Sequence, residues 1–195
     1  MILDDYTLIK KIGGDYSEIY LTKKKNTDVL FVTKITKIFA NKQDIEFLNN
    51  GINILRKLCH KNIIRLVDLK KSKKHYYRIM EYCNGGSLED CLKKYKDIYC
   101  KPFTEEIVQH IMRQVLSAIN YIHDLGIINR YLTLDNILVK FKNDIDKNQL
   151  NMLKSEMKII GFHFASYKDQ IDLITTIVGT PLYLDPITLN YLAGK

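Results

Sequence analysis

The chain has 195 residues, enough for one domain or two small lobes around a sizeable apolar core. Its 46% hydrophobic and 27% charged content is that of an ordinary globular protein, and no run of about 18 apolar residues marks a membrane span. The net charge of +8 favours acidic partners at long range. No aromatic residues interleave the densest basic run, Lys70, Lys71, Lys73, Lys74 and His75, so a hairpin tip is expected there and nucleic acid is not an expected partner. The opening residues Met1–Tyr6 have neither the basic start nor the apolar run of a signal peptide, so Cys59, Cys83, Cys91 and Cys100 are expected as free thiols. Neither the cysteines nor the five histidines suggest a metal site by spacing.

In chain order, Tyr6–Ile12, Ile19–Lys24 and Val29–Ile38 read as antiparallel strands broken at Gly13-Gly14 and Asn26-Thr27-Asp28. Ile45, Leu48, Ile52, Leu55 and Leu58 then recur three or four apart, which predicts an amphipathic helix ending before Cys59. Ile64–Leu69 and His75–Tyr82 predict a second hairpin. Ser87 is a candidate cap for a helix with Glu89 and Asp90 in its first turn. Thr104 opens a longer helix through Ile107, Ile111, Val115, Ile119 and Ile122 to a stop at Gly126. Ile137–Phe141 and Met157–Ile160 read as short strands, with a polar surface insertion at about 142–156 between them.

Several stretches are more specific than these elements require. They are I-G-G-D-Y-S-E-I-Y (Ile12–Tyr20), F-V-T-K (Phe31–Lys34), C-H-K-N-I-I-R-L (59–66) and M-E-Y-C-N-G-G-S-L (80–88). Further on come Y-I-H-D-L-G-I-I (121–128), I-I-N-R-Y-L-T-L-D-N-I-L (127–138), M-K-I-I-G-F-H-F-A (157–165) and G-T-P-L-Y (179–183). In this order and spacing they resemble the eukaryotic protein kinases. The resemblance implies an α+β, bilobal protein-kinase-like fold. Residues 1–83 would form an N-lobe with an antiparallel sheet and one helix, followed by the start of the hinge. Residues 84–195 would form a partial helical C-lobe.

The same resemblance assigns positions. Gly13, Gly14, Ile19, Val32, Lys34, Glu81, Cys83, Asn136 and Leu138 match nucleotide-binding places, with Ser17 at the third loop glycine and Tyr16 at the loop tip. Val32 replaces an alanine that lies against adenine, and its extra methyl groups would narrow that pocket. Lys34 matches the phosphate-pairing lysine, but Gly51 stands where its partner glutamate belongs, and Glu46 lies more than a turn earlier. In the catalytic loop Asn129 replaces His, Arg130 is kept, Tyr131 replaces the Asp base, Thr133 replaces a lysine and Asn136 is kept. The phenol of Tyr131 is a poor replacement for a carboxylate base. Gly161 and His163 replace the outer residues of D-F-G, deleting the carboxylate that holds magnesium, and Asp135 is not expected to rescue it. Leu55, Leu66, Phe162 and Asn129 match one internal stack of the family, and Ile19, Val32 and Leu138 match another.

These losses predict a catalytically inactive kinase-like scaffold with no metal and no firm cofactor. A nucleotide-binding switch or very weak Ser/Thr kinase is the alternative. Arg130 is a candidate phosphate contact for Ser166, Tyr167, Thr175 or Thr176. Asp185 and Ile187 replace the outer residues of A-P-E, and the expectation is either that the chain is part of a longer protein or that a protein partner covers the incomplete C-lobe. Gly161–Tyr167, G-F-H-F-A-S-Y, is most similar to the Unc-51-like group of Ser/Thr kinases. That likeness implies a cytoplasmic, cytoskeletal or ciliary setting with no membrane contact.

Overall fold

The computed structural model describes residues 3–14, 17–38, 42–169, 180–184, 186 and 189–190. Two compact units emerge, Met1–Asn49 with Ile64–Tyr82, and Asn50–Ile63 with Cys83–Lys195. The expected helix is α1, Lys42–Lys57, and the unit division falls within it, so its residues from Asn50 belong with the second unit.

In the first unit β1 (Tyr6–Gly13), β2 (Ser17–Lys24), β3 (Leu30–Lys37), β4 (Leu66–Lys71) and β5 (His75–Glu81) form one antiparallel sheet ordered β1-β2-β3-β5-β4. The β4–β5 turn carries Lys73 and Lys74, so the basic run does lie at a hairpin tip. One sheet face holds a small core of Tyr6, Phe31 and Ile79 with Leu3 and Tyr77 against it. Tyr6 and Phe31 meet edge to face at 5.8 Å, the geometry favoured by ring quadrupoles. Thr22 and Thr33 are fully buried and satisfy each other through a 2.8 Å hydrogen bond.

In the second unit Ser87 caps α2 (Leu88–Tyr99) in a reciprocal capping box with Asp90. Thr104 caps α3 (Glu105–Asp124), whose Ile107, Ile111, Val115, Ala118 and Ile122 are buried. Two short sheets complete the unit. One is ordered β6 (Gly86–Ser87), β8 (Ile137–Phe141), β9 (Ser155–Ile159), and the other pairs β7 (Ile127–Ile128) with β10 (Ser166–Tyr167). C-H-K-N is pinned to α3: His60 stacks on Tyr121 at 5.1 Å, and the Asn62 amide donates to Gln114 and to the Met157 carbonyl. Between β8 and β9 the chain builds a short helix, α4 (Asp144–Asn148), capped by Asn143. Despite the segment's polar composition it buries Asp146, Leu150 and Met152. Asp146 accepts hydrogen bonds from Asn143 and Asn151.

Candidate functional site

The glycine-rich hairpin treats its two glycines differently. Gly13 has open space where a Cβ would stand, whereas Gly14 sits at φ +105° and a Cβ there would collide with the Ser17 carbonyl. Gly14 is therefore required to close this turn. Ser17, at the third glycine position, is hydrogen-bonded to Thr36 at 2.8 Å. Tyr16 lies outside the described residues.

The sheet register lines up three rungs across β2, β3, β5 and β4: Leu21–Val32–Met80–Leu66, then Ile19–Lys34–Arg78–Leu69, then Ser17–Thr36–Tyr76–Lys71. Val32 thus has Leu21 and Met80 beside it, both apolar. Lys34 stands directly opposite Arg78. Arg78 is 9% exposed, donates from Nη2 to Thr36 Oγ1 at 2.6 Å, and has a buried Nε with no hydrogen-bond partner among the described residues. Among the described residues no carboxylate is ion-paired with Lys34, and Glu46 is exposed. Burial first, and Arg78 second, pull the Lys34 ammonium from 10.5 down to about 8, and burial lowers Arg78 to about 10.

A pH dependence follows. Between about 8 and 10.5 the unfolded chain holds the Lys34 proton more firmly than the folded one, so the burial penalty, full below that window, is relieved as pH rises through it. The relief is on the order of 3 kcal/mol. Unfolding free energies of wild type minus Lys34→Met should therefore rise across the window. A flat difference would show that no such penalty exists.

In the second unit the loop after β7 is held by its own polar groups. Asn129, 3% exposed, accepts the Tyr131 backbone N–H at 3.0 Å. Arg130 takes a left-handed φ of +62° and donates Nε to the Phe164 carbonyl at 2.7 Å. Asn136 donates Nδ2 to the Tyr131 carbonyl at 3.0 Å and to Thr133 Oγ1 at 3.1 Å, while its own carbonyl accepts from Ile160. The Tyr131 ring stands edge-on to His163 at 5.2 Å and Phe164 at 5.4 Å. An aromatic group thus surrounds the place where the resemblance puts a base.

Two glycines close this region. Gly161 has φ +83°, and a Cβ on it would stand 3.0 Å from Asn136 Cγ and 3.3 Å from the Tyr131 carbonyl. Gly51 lies so near the turn at Phe162–Phe164 that a Cβ would collide with the Phe162 carbonyl and stand 2.7 Å from His163 Cα. Next to it, the Asn50 amide donates to the Ala165 carbonyl at 2.9 Å. The second half of α1 is thereby strapped to the G-F-H-F-A segment, backbone against backbone.

A magnesium ion does not fit these residues. Gly161 offers no carboxylate, Asn136 could offer only its neutral amide oxygen, and His163 is a poor ligand for a hard cation. Asp135 hydrogen-bonds to Glu89 on α2, and burial followed by that neighbour raises its pKa. Among the described residues no three His, Cys, Asp or Glu side chains cluster as a metal site.

The other assigned positions have local roles. Glu81 accepts the Arg65 backbone N–H at 3.0 Å, Cys83 is buried, and Leu138 pairs with Ser87 and Lys158. Gly13, Gly14, Ile19, Val32, Lys34 and Glu81 belong to the first unit, and Cys83, Asn136 and Leu138 to the second. Of the residues matched to one internal stack, Leu55, Phe162 and Asn129 are buried in the second unit, and Leu66 is half-buried in the first. Of the residues proposed for phosphate, Ser166 is fully buried and the Tyr167 hydroxyl accepts from Lys57 at 3.2 Å. Thr175, Thr176, Asp185 and Ile187 lie outside the described residues. Sequence reasoning missed Arg78. The signal was a charged residue two positions from Tyr76 and from Met80, on the rung face of H-Y-Y-R-I-M-E.

Comparison with known proteins agrees with this geometry. Residues 6–193 match the protein kinase domain family. A curated relative, a probable serine/threonine-protein kinase fhkD of Dictyostelium discoideum, is 29% identical over 185 residues. The match covers 93% of this chain, which spans only 23% of that relative's length. With the α+β order of elements, the five-stranded antiparallel sheet and the motifs in sequence, the chain belongs to the protein kinase domain family.

Proposed function

We propose that this protein is a catalytically inactive member of its family that works by binding other proteins. The observation that carries this reading is the packing of the second unit, where Tyr131, His163 and Phe164 occupy one another and Gly161 leaves no carboxylate and little room for one. Phosphoryl transfer depends on positioning and charge stabilisation, so concurrent loss of the base and the metal ligand is not offset by what remains. G-F-H-F-A-S-Y supports a reading closest to the Unc-51-like group, with a role in a cytoplasmic, cytoskeletal or ciliary assembly. A nucleotide-binding switch or feeble Ser/Thr kinase is the second reading, supported by the retained Lys34 and Asn136 and by the name of the relative.

The test is phosphate incorporation into the purified chain and into generic Ser/Thr substrates, with ATP and magnesium or manganese. Incorporation should equal that of a Lys34→Met control. Transfer that the control abolishes would overturn the proposal in favour of the second reading.

A further inference from the structure

In the first unit the β2–β3 and β4–β5 turns are both rich in lysine, and they differ in how that charge is met. At the β2–β3 turn Lys23 is ion-paired with Asp28 at 2.7 Å, so that tip carries its own counter-charge. On β4, Lys70 is held by Asp5 at 3.2 Å and by Asp68 at 3.8 Å. Beyond it Lys71, Lys73 and Lys74 are exposed, and the β3–β5 register sets the exposed Lys37 directly across from His75. Among the described residues no carboxylate is ion-paired with any of these last four lysines. Lys71 instead lies over the Tyr76 ring at 4.9 Å, which leaves its charge in place. An open recess of about 820 Å³ beside the turn is lined by Lys71, Ser72, Lys73, Lys74 and His75.

The backbone under these charges is tied down. Ser72 donates its N–H to the His75 carbonyl at 2.8 Å, and its Oγ accepts from the N–H groups of Lys74 at 3.3 Å and His75 at 2.9 Å. The Lys74 carbonyl accepts from Ile38 at 2.8 Å, which fastens the tip to the end of β3. A ligand therefore meets cations on an ordered backbone, which lowers the entropy cost of binding. Lysine presents a point charge without the planar fork that suits phosphate, so an all-lysine tip fits carboxylates spaced along a flexible chain. The neighbouring tyrosines offer bases no stacking platform, since Tyr76 is buried and Tyr77 packs against the Tyr6–Phe31 core. Building on the protein-binding function proposed above, we propose that the β4–β5 tip, with Lys37 beside it, docks an acidic segment of a partner protein, rich in glutamate or aspartate.

The experiment titrates the whole chain into a fluorescein-labelled oligo-glutamate peptide at low salt and follows anisotropy. Two double variants carry the same change in net charge: Lys73→Glu with Lys74→Glu at the tip, and Lys24→Glu with Lys25→Glu at the β2–β3 turn, where both lysines are exposed. The tip pair should weaken binding roughly tenfold or more, and the control pair about twofold or less. Raising salt from about 0.02 M to about 0.2 M should also weaken wild-type binding roughly tenfold. Should a glutamate pair fail to fold, the corresponding glutamine pairs carry the same comparison. No binding by the wild type overturns the surface, and equal losses in the two variants overturn it by assigning the attraction to net charge alone. Tighter binding to duplex DNA or to phosphatidylserine vesicles than to the peptide overturns it as well. Phosphate incorporation is a separate readout. A chain that transfers phosphate yet binds the peptide through the tip refutes the inactive reading and keeps the surface, and an inactive chain that ignores the peptide does the reverse.

Discussion

Gly51→Ala should destabilise the protein by roughly 2–4 kcal/mol. Helix propensity alone predicts the opposite sign, because alanine inside a helix is worth about 1 kcal/mol over glycine. The two effects are separable because the first methyl carbon has nowhere to go. It meets the Phe162 carbonyl and the His163 Cα, which are backbone atoms that no rotamer change can move. Urea unfolding decides the matter, and a stabilised Gly51→Ala would show that α1 does not approach the Phe162–Phe164 turn so closely. The same geometry bears on repair. Gly51→Glu, the substitution that would restore a family glutamate, should be at least as damaging, since its Cβ meets the same atoms.

The second large effect concerns Asn136. Its side-chain nitrogen ties together the Tyr131 carbonyl and the Thr133 hydroxyl. Asn136→Ala removes both bonds and should cost about 2 kcal/mol. Asn136→Asp should cost more, about 3 kcal/mol, because a carboxylate replaces the donor with an acceptor facing the Tyr131 carbonyl. At a metal-holding position the ranking would reverse when magnesium is added, since a carboxylate is the better ligand. Denaturation of the two variants with and without magnesium separates these roles. If Asn136→Asp equals or exceeds Asn136→Ala in stability in the presence of magnesium, Asn136 is not primarily a strap for this loop.

Much of the fold was legible because the signals were local. Ser87 and Thr104 announced their helices through side-chain capping, and both caps form. The strands of the first unit could be found by alternation and turn residues to within a few positions. Ile52 and Leu55 on α1 and Leu58 just beyond it are buried as periodicity implies, but Ile54, fully buried, lies outside that spacing. The site was less legible, because its decisive contacts join residues far apart in the chain. Gly51 reads in sequence as a missing carboxylate and a weakened helix, whereas its structural meaning depends on Phe162 and His163 more than a hundred residues away. Gly13 and Gly14 look alike as letters and differ in backbone conformation. Arg78 was hidden because alternation reports which face a residue takes and not what stands opposite it.

The segment built around α4 has a further consequence for how the chain assembles. Its stabilising bonds, Asn143 to Asp146, Asn151 to Asp146 and Ser155 to Met152, span three to five residues. Closing such short loops costs little entropy, so the turn can form before the long-range contacts of the unit exist. Its two ends are already partners, since Phe141 on β8 pairs with Ser155 on β9. Early local closure would therefore deliver β8 and β9 to each other in register. The segment then acts as a folding staple, converting a separation of 14 residues between Phe141 and Ser155 into a hairpin-like encounter.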